Sequence, residues 1–242
     1  MNPIILIPAR MASTRLPGKP LALIAGRPMI LHMLAIAQAA ALGPVAIACD
    51  GPEIAAIVQA AGGRAILTDP ALPSGSDRIH AALQILDPDH HHDTIINLQG
   101  DTPTLPPNYL TAALEPLHAG YDIGTLVTEA SPEEATNPAV VKTACAFTDA
   151  PVAPALYFSR NPIPANPGPL WHHIGLYAYT RDALARFVSL PPSPLEQRES
   201  LEQLRALEAG LRIGVTRVPP GVFGVDTPAD LARANQLLQE HK

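Results

Sequence analysis

Short apolar runs alternate with longer stretches of helical pattern through the first half of the chain. The runs are almost continuously apolar, which is typical of strands covered on both faces of a parallel sheet. Because helical segments separate the runs, their order predicts a doubly wound, mostly parallel α/β sheet. The predicted strands are Ile4–Ile7, Val45–Cys49, Ala65–Leu67 and Thr94–Leu98.

Boundary residues predict the helices between these strands. The first helix, Pro28–Leu42, opens on a proline and is followed by a glycine, the usual asymmetry of helix ends. The second, Glu53–Ala61, stops before two glycines. For the third, Asp77–Leu86, we expect Ser76 to be the N-cap, because its hydroxyl can accept a hydrogen bond from a free backbone N–H.

The pattern becomes less regular after Asp122 and indicates an inserted antiparallel layer around residues 129–200 of a single domain, 1–242. Asn161–Pro169 is too rich in proline for a helix or a central strand, so we expect a loop there. The end of the chain returns to α/β character, with a helix over Pro228–Gln239 that Thr227 introduces. Further strands are expected at Ile123–Thr128, Val140–Thr143, Ala155–Ser159, His173–Tyr179 and Ile213–Val218.

Composition narrows the classes of protein. With 22 acidic and 16 basic residues the formal net charge is −6, which argues against a nucleic-acid partner. The two cysteines lie far apart in the sequence, so neither a disulfide framework nor a zinc site is expected. The apolar start is too short for a signal peptide, and no apolar run approaches the roughly 20 residues of a membrane span. We therefore expect a cytoplasmic protein without membrane insertion.

A basic loop, Pro8–Pro20, follows the first strand at the sheet edge where open α/β sheets bind ligands. It carries Arg10, Arg15 and Lys19, whose charges suit a polyphosphate. An ordinary solvated basic loop is an equally good interpretation of the spacing. The loop has neither the P-loop nor the dinucleotide-binding glycine pattern, which disfavours those two classes.

Two aspartates are candidate metal ligands. Asp101 follows the fourth strand and Asp226 precedes the last helix. Mg²⁺ prefers one or two carboxylates together with phosphate oxygens and water, so this pair suits it. The alternatives are an ordinary turn residue at Asp101 and a helix cap at Asp226. His172 and the run His90–His92 are expected to face solvent.

Six segments spread over the whole chain resemble those of the CMP-Kdo synthetases, the 3-deoxy-manno-octulosonate cytidylyltransferases. The first segment alone is typical only of sugar-activating nucleotidyltransferases, and the set of six in order identifies the family. The segments are Ala9–Leu21, Gln99–Asp101, Tyr157–Arg160, Pro192–Glu196, Leu201–Arg205 and Gly224–Pro228. The resemblance implies an enzyme with the nucleotidyltransferase fold that uses Mg²⁺ to join CTP and Kdo into CMP-Kdo and pyrophosphate, for lipopolysaccharide biosynthesis. It also implies a homodimer formed through the inserted layer.

The resemblance further implies roles for individual residues. It makes Lys19, Arg15 and Asp101 catalytic, and Asp101 and Asp226 the ligands of Mg²⁺. From the residues alone, His173 is an ordinary strand residue, and Glu202 and Gln203 are surface positions of an amphipathic helix. The implied nucleotide-binding residues are Ala9, Arg10, Ser13, Arg15, Lys19, Ser74, Gly75, Arg78 and Gln99. The implied sugar-binding residues are Gln99, Arg160, His173, Tyr177, Glu202 and Gln203.

Three departures from the family pattern keep alternatives open. Thr102 stands where relatives commonly have a glutamate, Pro219–Gly224 is bulkier than usual, and the loop Asn161–Trp171 is short. These differences favour keeping an 8-amino analogue of Kdo, or another acid sugar such as sialic acid, as alternative substrates. A nucleotide sensor without activity is a further alternative, although a sensor has no need of two metal-binding carboxylates.

Overall fold

The computed structural model describes residues 1–13 and 15–240, the last of these by its backbone only. Thr14 of the basic loop lies outside the described residues. Internal contacts divide the chain into two compact units. Unit 1 consists of Met1–Leu110 together with the segment from Val222 onwards, and unit 2 of Thr111–Gly221.

Unit 1 is built on a parallel sheet whose strands carry the apolar core. Its strands are β1 (Pro3–Ala9), β4 (Val45–Cys49), β5 (Ala65–Leu67) and β6 (Thr94–Leu98). A short antiparallel pair, β2 (Leu23–Ile24) and β3 (Arg27–Pro28), follows the basic loop. β1 lies between β4 and β6, and β5 pairs with β4, all in parallel. The sequence predicted these parallel strands, and Ile5, Leu6 and Ile7 of β1 are fully buried.

The helices of unit 1 are α1 (Met29–Ala39), α2 (Pro52–Ala60), α3 (Gly75–Leu86) and α10 (Pro228–Glu240). The prediction of Ser76 as the cap of α3 is wrong. Ser74 has extended backbone, and its Oγ accepts the Asp77 N–H at 3.2 Å, while Ser76 lies inside the helix and is buried. Thr227 introduces α10 as predicted, because its Oγ1 accepts the Asp230 N–H and Asp230 Oδ2 accepts the Thr227 N–H.

Unit 2 mixes parallel and antiparallel pairing. Its strands are β7 (Ile123–Glu129), β8 (Lys142–Ala144), β9 (Val152–Pro154), β10 (Tyr157–Ser159), β11 (Trp171–Thr180) and β12 (Ile213–Arg217). β11 runs antiparallel to β7 and β8, and β10 antiparallel to β8. β12 is parallel to β7 and antiparallel to β9. The predicted fold class, a mostly parallel α/β sheet with an antiparallel layer, is confirmed.

Several short helices that precede or separate these strands had no predicted bounds, although the sequence placed Glu202 and Gln203 on a helix. They are α4 (Asn108–Ala112), α5 (Glu115–His118), α6 (Pro132–Thr136), α7 (Arg181–Ser189), α8 (Pro194–Glu199) and α9 (Gln203–Glu208). A Ser-x-x-Glu capping box begins two of them, with Ser131 and Glu134 at α6 and Ser193 and Glu196 at α8. That signal was present in the sequence and could have found both helices.

A bulge in β11 shapes the inside of unit 2. Ile174 pairs with Leu126 and Ala178 with Gly124, so residues 175–177 of β11 face the single residue Thr125 of β7. The buried Thr125 Oγ1 lies 3.2 Å from the Ile174 carbonyl and 2.8 Å from the Leu176 carbonyl. This hydroxyl satisfies backbone groups that the bulge removes from the strand pairing.

No helix in the described ranges, 1–13 and 15–240, is long and apolar enough to cross a membrane.

Candidate active site

Four charged side chains of unit 1 meet, and we call them the charge cluster: Arg15, Lys19, Asp101 and Asp226. Lys19 Nζ lies 2.9 Å from Asp101 Oδ2 and 2.8 Å from Asp226 Oδ1. Arg15 Nη2 lies 3.0 Å from the other oxygen of Asp226. Because one ammonium contacts both carboxylates, the two carboxylates converge on a single point. The structure thus joins the basic loop to both predicted metal ligands.

Packing beneath the basic loop explains why these residues meet. Leu16 is buried in an apolar cluster with Ile24, Met29 and Val225, so the loop is tied to the residue before Asp226. The Val225 N–H donates to the Asp101 carbonyl at 2.8 Å, which joins the segments of the two aspartates. Gly18 adopts the left-handed conformation, with φ 65°, that turns the chain into a short 3-10 helix beginning at Lys19.

The opposite charges of the cluster stabilise one another. Burial lowers the pKa of Lys19, but Asp101 and Asp226 outweigh burial, and the pKa is raised above its ordinary value. Burial raises the pKa of Asp226, but Lys19 and Arg15 outweigh it, and the pKa is lowered. Both groups are therefore charged at neutral pH. The cap alternative for Asp226 is wrong, because Thr227 and Asp230 cap α10 while the Asp226 carboxylate binds Lys19 and Arg15.

The charge cluster suits a magnesium ion that is bound by carboxylate oxygens and by phosphate oxygens. Asp101 and Asp226 supply hard oxygen donors that already converge on one cation, the Lys19 ammonium. In the described part of the chain, no group of three or more His, Cys, Asp or Glu side chains is placed to hold a metal. The remaining ligands of an ion at the two aspartates would thus be water and substrate oxygens, the arrangement that Mg²⁺ favours.

The other residues of the basic loop have different surroundings. Ala9 is buried at the end of β1 and Arg10 is exposed just after it. Ser13 Oγ lies 3.4 Å from the Leu16 N–H and braces the loop. The implied contacts of these three residues with a nucleotide stay predictions.

The start of α3 lies against the end of β1. A Cβ at Gly75 would come within 3.2 Å of Pro8 and 3.5 Å of Gln99 Oε1, so only glycine fits there without displacement. Ser74 caps the helix, and Gln99 Nε2 donates to Asn97 Oδ1 at 2.8 Å, which leaves Gln99 Oε1 as an acceptor beside Gly75. A helix N-terminus with close backbone approach suits an anionic ligand.

Arg78 lies inside unit 1. Its side chain is buried, and Nη1 donates to Thr68 Oγ1 at 2.7 Å and to the Asp69 carbonyl at 3.3 Å. The guanidinium therefore supports the loop after β5, and its implied contact with the nucleotide stays a prediction.

Arg160 of unit 2 is held by backbone carbonyls. Nε donates to the Glu199 carbonyl at 2.8 Å, Nη2 to the Ser200 carbonyl at 3.2 Å and Nη1 to the Pro138 carbonyl at 3.1 Å. A guanidinium has five N–H groups, so within the described residues one remains on each terminal nitrogen. Two such groups are what a carboxylate needs for a two-point contact.

His173 is buried and neutral. Burial, with a smaller contribution from His172, lowers its pKa to about 3. Thr125 Oγ1 lies 3.0 Å from His173 Nε2. Because the single hydrogen of that hydroxyl serves the bulge carbonyls, the network assigns the imidazole hydrogen to Nε2 and leaves Nδ1 as an acceptor.

Tyr177 lies near His173, and Glu202 lies near Tyr177. The His173 and Tyr177 rings are 5.4 Å apart between centroids. Burial, with Tyr179 and Glu202 nearby, raises the pKa of Tyr177 well above its ordinary value, so the phenol keeps its proton. Unit 2 carries Arg160 just after β10, His173 and Tyr177 in β11, and Glu202 and Gln203 at the start of α9. The family resemblance implies sugar binding for these five, which stays a prediction, and we call them the sugar-site residues.

Two surface expectations from the sequence are wrong. Gln203 is buried because α9 packs its first turn inwards against β10, and Glu202 is partly buried. His172 has only 14% of its side chain exposed, and Nδ1 lies 3.3 Å from Glu134 Oε1. Of the histidine run, His90 and His91 are exposed as predicted.

Lys142, which was not among the predicted site residues, has a side chain that is completely buried in β8. Its Nζ donates to the carbonyls of Asn137 at 2.8 Å and Val140 at 2.7 Å. A lysine inside the run Ala139–Ala146, where Thr143 is the only other polar residue, was the available signal.

Comparisons with known proteins agree with this geometry. Residues 4–213 match the family model described as cytidylyltransferase. The chain is 55% identical over 242 residues to a 3-deoxy-manno-octulosonate cytidylyltransferase of Paramagnetospirillum magneticum, covering 99% of this chain and 98% of the relative. It is 58% identical over 237 residues to the protein so named in Rhodopseudomonas palustris, with 97% of each covered.

Two solved structures are similar in fold. A CMP:2-keto-3-deoxy-manno-octonic acid synthetase complexed with CTP is 39% identical, with a TM-score of 0.90 and 100% of both chains covered. A glucose-1-phosphate thymidylyltransferase from Bacillus anthracis, so described in a complex with sucrose, is 16% identical with a TM-score of 0.67 and covers 98% of this chain and 96% of its own. The second likeness concerns the fold alone.

Proposed function

The chain belongs to the cytidylyltransferase family, and we propose that it is the 3-deoxy-manno-octulosonate cytidylyltransferase that joins CTP and Kdo to give CMP-Kdo and pyrophosphate. The observation that carries this proposal is the charge cluster, where Asp101 and Asp226 converge on Lys19. Relatives that are more than half identical over nearly the whole chain bear the Kdo cytidylyltransferase name, and a structural neighbour holds CTP.

The charge cluster suits the triphosphate of CTP. A hydroxyl of the sugar must approach the α-phosphate against the repulsion of a highly charged group, so catalysis rests on neutralisation and positioning. Arg15 and Lys19 bring two positive charges to one place. Asp101 and Asp226 would hold Mg²⁺, which when bound neutralises phosphate oxygens and the leaving pyrophosphate.

The sugar-site residues suit an acid sugar. Arg160 keeps one N–H on each terminal nitrogen for the carboxylate. Neutral His173 offers Nδ1 as an acceptor for a sugar hydroxyl, and protonated Tyr177 offers its hydroxyl as a donor. Glu202 and Gln203 add a carboxylate and an amide that suit further hydroxyls.

Four finer statements belong to the same proposal. We propose Mg²⁺ as the cofactor because the donor set consists of two carboxylates, and lipopolysaccharide biosynthesis as the destination because Kdo is the activated sugar. We propose the cytoplasm as the location, which the two free, buried cysteines support. The homodimer rests on the family resemblance, and light scattering of the purified protein tests it.

A pyrophosphate-release assay with a panel of substrates tests the activity. We expect release with CTP and Kdo in the presence of Mg²⁺, far less with UTP, and none after chelation of the metal. Kdo, its 8-amino analogue and sialic acid are compared at equal concentrations. If the 8-amino analogue or sialic acid has a higher kcat/KM than Kdo, that sugar is the substrate. If no acid sugar leads to release of pyrophosphate, the non-catalytic alternative is correct.

A further inference from the structure

Lys142 is a buried cation in a strand of the sugar-binding unit. Its neighbours across the sheet are Ser159 in β10 and His172 in β11, whose side chains lie on the same face. Burying an ammonium is costly unless its hydrogen bonds are replaced, and an apolar side chain of similar length would fill the space without that cost. Both hydrogen-bond partners of the ammonium are backbone carbonyls. A lysine here therefore needs a reason beyond packing.

The carbonyls that Lys142 binds are the two ends of one turn. The Val140 N–H donates to the Asn137 carbonyl at 3.1 Å, which closes the turn, and the Ala139 N–H donates to Asn137 Oδ1 at 2.9 Å. Lys142 Nζ binds the Asn137 and Val140 carbonyls from inside the unit. The carbonyl of Pro138, between those ends, accepts Arg160 Nη1 at 3.1 Å. The Lys142 ammonium thus fixes the Asn137–Val140 turn, and the Pro138 carbonyl of this turn fixes Nη1 of Arg160.

The charges around Lys142 also link it to Arg160. Burial, and then the nearby Arg160 guanidinium, lower the pKa of Lys142, so two cations lie within electrostatic reach of each other. His172 Nδ1, on the same face, lies 3.3 Å from Glu134 Oε1, and Ser159 Oγ donates to Glu199 Oε1 at 3.2 Å. The Glu199 carboxylate already accepts the Arg160 backbone N–H at 3.0 Å. A further anion beside the Arg160 guanidinium would reduce the repulsion between the two cations.

We propose that Lys142 is a positioning residue for the acid sugar. Its ammonium clamps the Asn137–Val140 turn, so that the Pro138 carbonyl of this turn holds the Arg160 guanidinium. Held in this way, Arg160 presents one N–H of each terminal nitrogen to the substrate carboxylate. This inference rests on the proposed function, because it assumes that Arg160 binds the carboxylate of Kdo.

Steady-state kinetics of Lys142→Met test the clamp. We expect the KM for Kdo to rise about tenfold, while kcat and the KM for CTP change by less than about twofold. Asn137→Ala removes the side-chain brace of the same turn at an exposed position, and we expect a rise of about threefold in the KM for Kdo. Arg186→Met is the matched control, because Arg186 also binds a carbonyl of unit 2, that of Ala209, and all its constants should stay normal.

A double-variant cycle separates action through Arg160 from an independent role. In an Arg160→Met background, Lys142→Met and Asn137→Ala should each change the KM for Kdo by less than about twofold. A full additional rise would overturn the proposal, as would a normal KM for Kdo in the single variants or an equal loss for CTP. If Lys142→Met does not fold, Asn137→Ala decides by the same criteria.

A measurement without substrate tests the clamping of Arg160 by Lys142 independently of the proposed function. In nitrogen NMR of the Arg160 guanidinium, rotation about the bonds to its terminal nitrogens should be slow in the parent protein and faster in Lys142→Met or Asn137→Ala. Unchanged rotation overturns the clamp. If the parent protein fails to use Kdo, the proposed function falls alone, and the rotation rates still decide the role of Lys142.

Discussion

The two groups of candidate residues hold their cations in opposite ways. In unit 1, Lys19 and Arg15 are paired with carboxylates that keep 31% and 40% of their side chains exposed. In unit 2, Arg160 and Lys142 are held by backbone carbonyls. Side-chain ion pairs that reach solvent can exchange partners at little cost, whereas backbone contacts fix a geometry. The charge cluster is therefore suited to rearranging around a polyphosphate, and the sugar-site residues to recognising one shape.

The largest effect is expected when either carboxylate of the charge cluster loses its charge. Asp101→Asn and Asp226→Asn keep the size of the side chain but remove the anionic ligand, so we expect kcat to fall roughly hundredfold or more. Circular dichroism and thermal melting should show an intact fold. Asp182→Asn, an exposed acid in the first turn of α7, is the control. Near-normal turnover by either cluster variant would remove that aspartate from the site.

A smaller loss is expected for the cation between those carboxylates. Lys19→Ala should lower kcat/KM for CTP by about thirtyfold while the melting temperature shifts by only a few degrees, because a partly exposed ion pair anchors little of the core. Kinetics at varied CTP concentration check the fall in kcat/KM, and a thermal melt of the same sample checks the melting temperature. Normal kinetics with a large loss of stability would make Lys19 a structural residue and undo the contrast between the two regions.

Replacement of Arg160 probes the fixed geometry of unit 2. An ammonium cannot reproduce a planar fork that binds three carbonyls and, by the proposed function, the Kdo carboxylate, so Arg160→Lys should raise the KM for Kdo about tenfold. The KM for CTP should change little, which separates this variant from those of the charge cluster. Normal Kdo kinetics in Arg160→Lys would show that the carboxylate binds elsewhere.

The smallest effect at neutral pH concerns His173. Its folded pKa, about 3, lies below the ordinary value, so the unfolded chain binds more protons between the two values, and stability rises with pH across that window. The contribution is fully present above the ordinary pKa and is lost as pH falls towards 3. His173→Asn should therefore flatten the acid side of the stability profile relative to the parent, as urea unfolding at several pH values measures. Parallel profiles would mean that His173 is not held neutral.

The sequence predicted more of unit 1 than of unit 2. The parallel strands of unit 1 are recognisable because their apolar runs are continuous, and strand order alone brings the basic loop and Asp101 to one edge. Asp226 meets Lys19 through packing of Leu16 against Val225, residues that no local pattern relates. In unit 2, the carbonyl partners of Arg160 and the buried charge of Lys142 depend on turns between short strands, which hydrophobic periodicity does not encode.

Direct identification of the product tests the central claim. Phosphorus NMR of the purified protein with CTP, Kdo and Mg²⁺ should show the triphosphate signals replaced by equal amounts of pyrophosphate and of one new phosphodiester, the CMP ester of Kdo. The parent protein should give this product, and Asp226→Asn should give almost none over the same time. Unchanged CTP in the parent sample, or pyrophosphate without a phosphodiester of Kdo, would contradict the account.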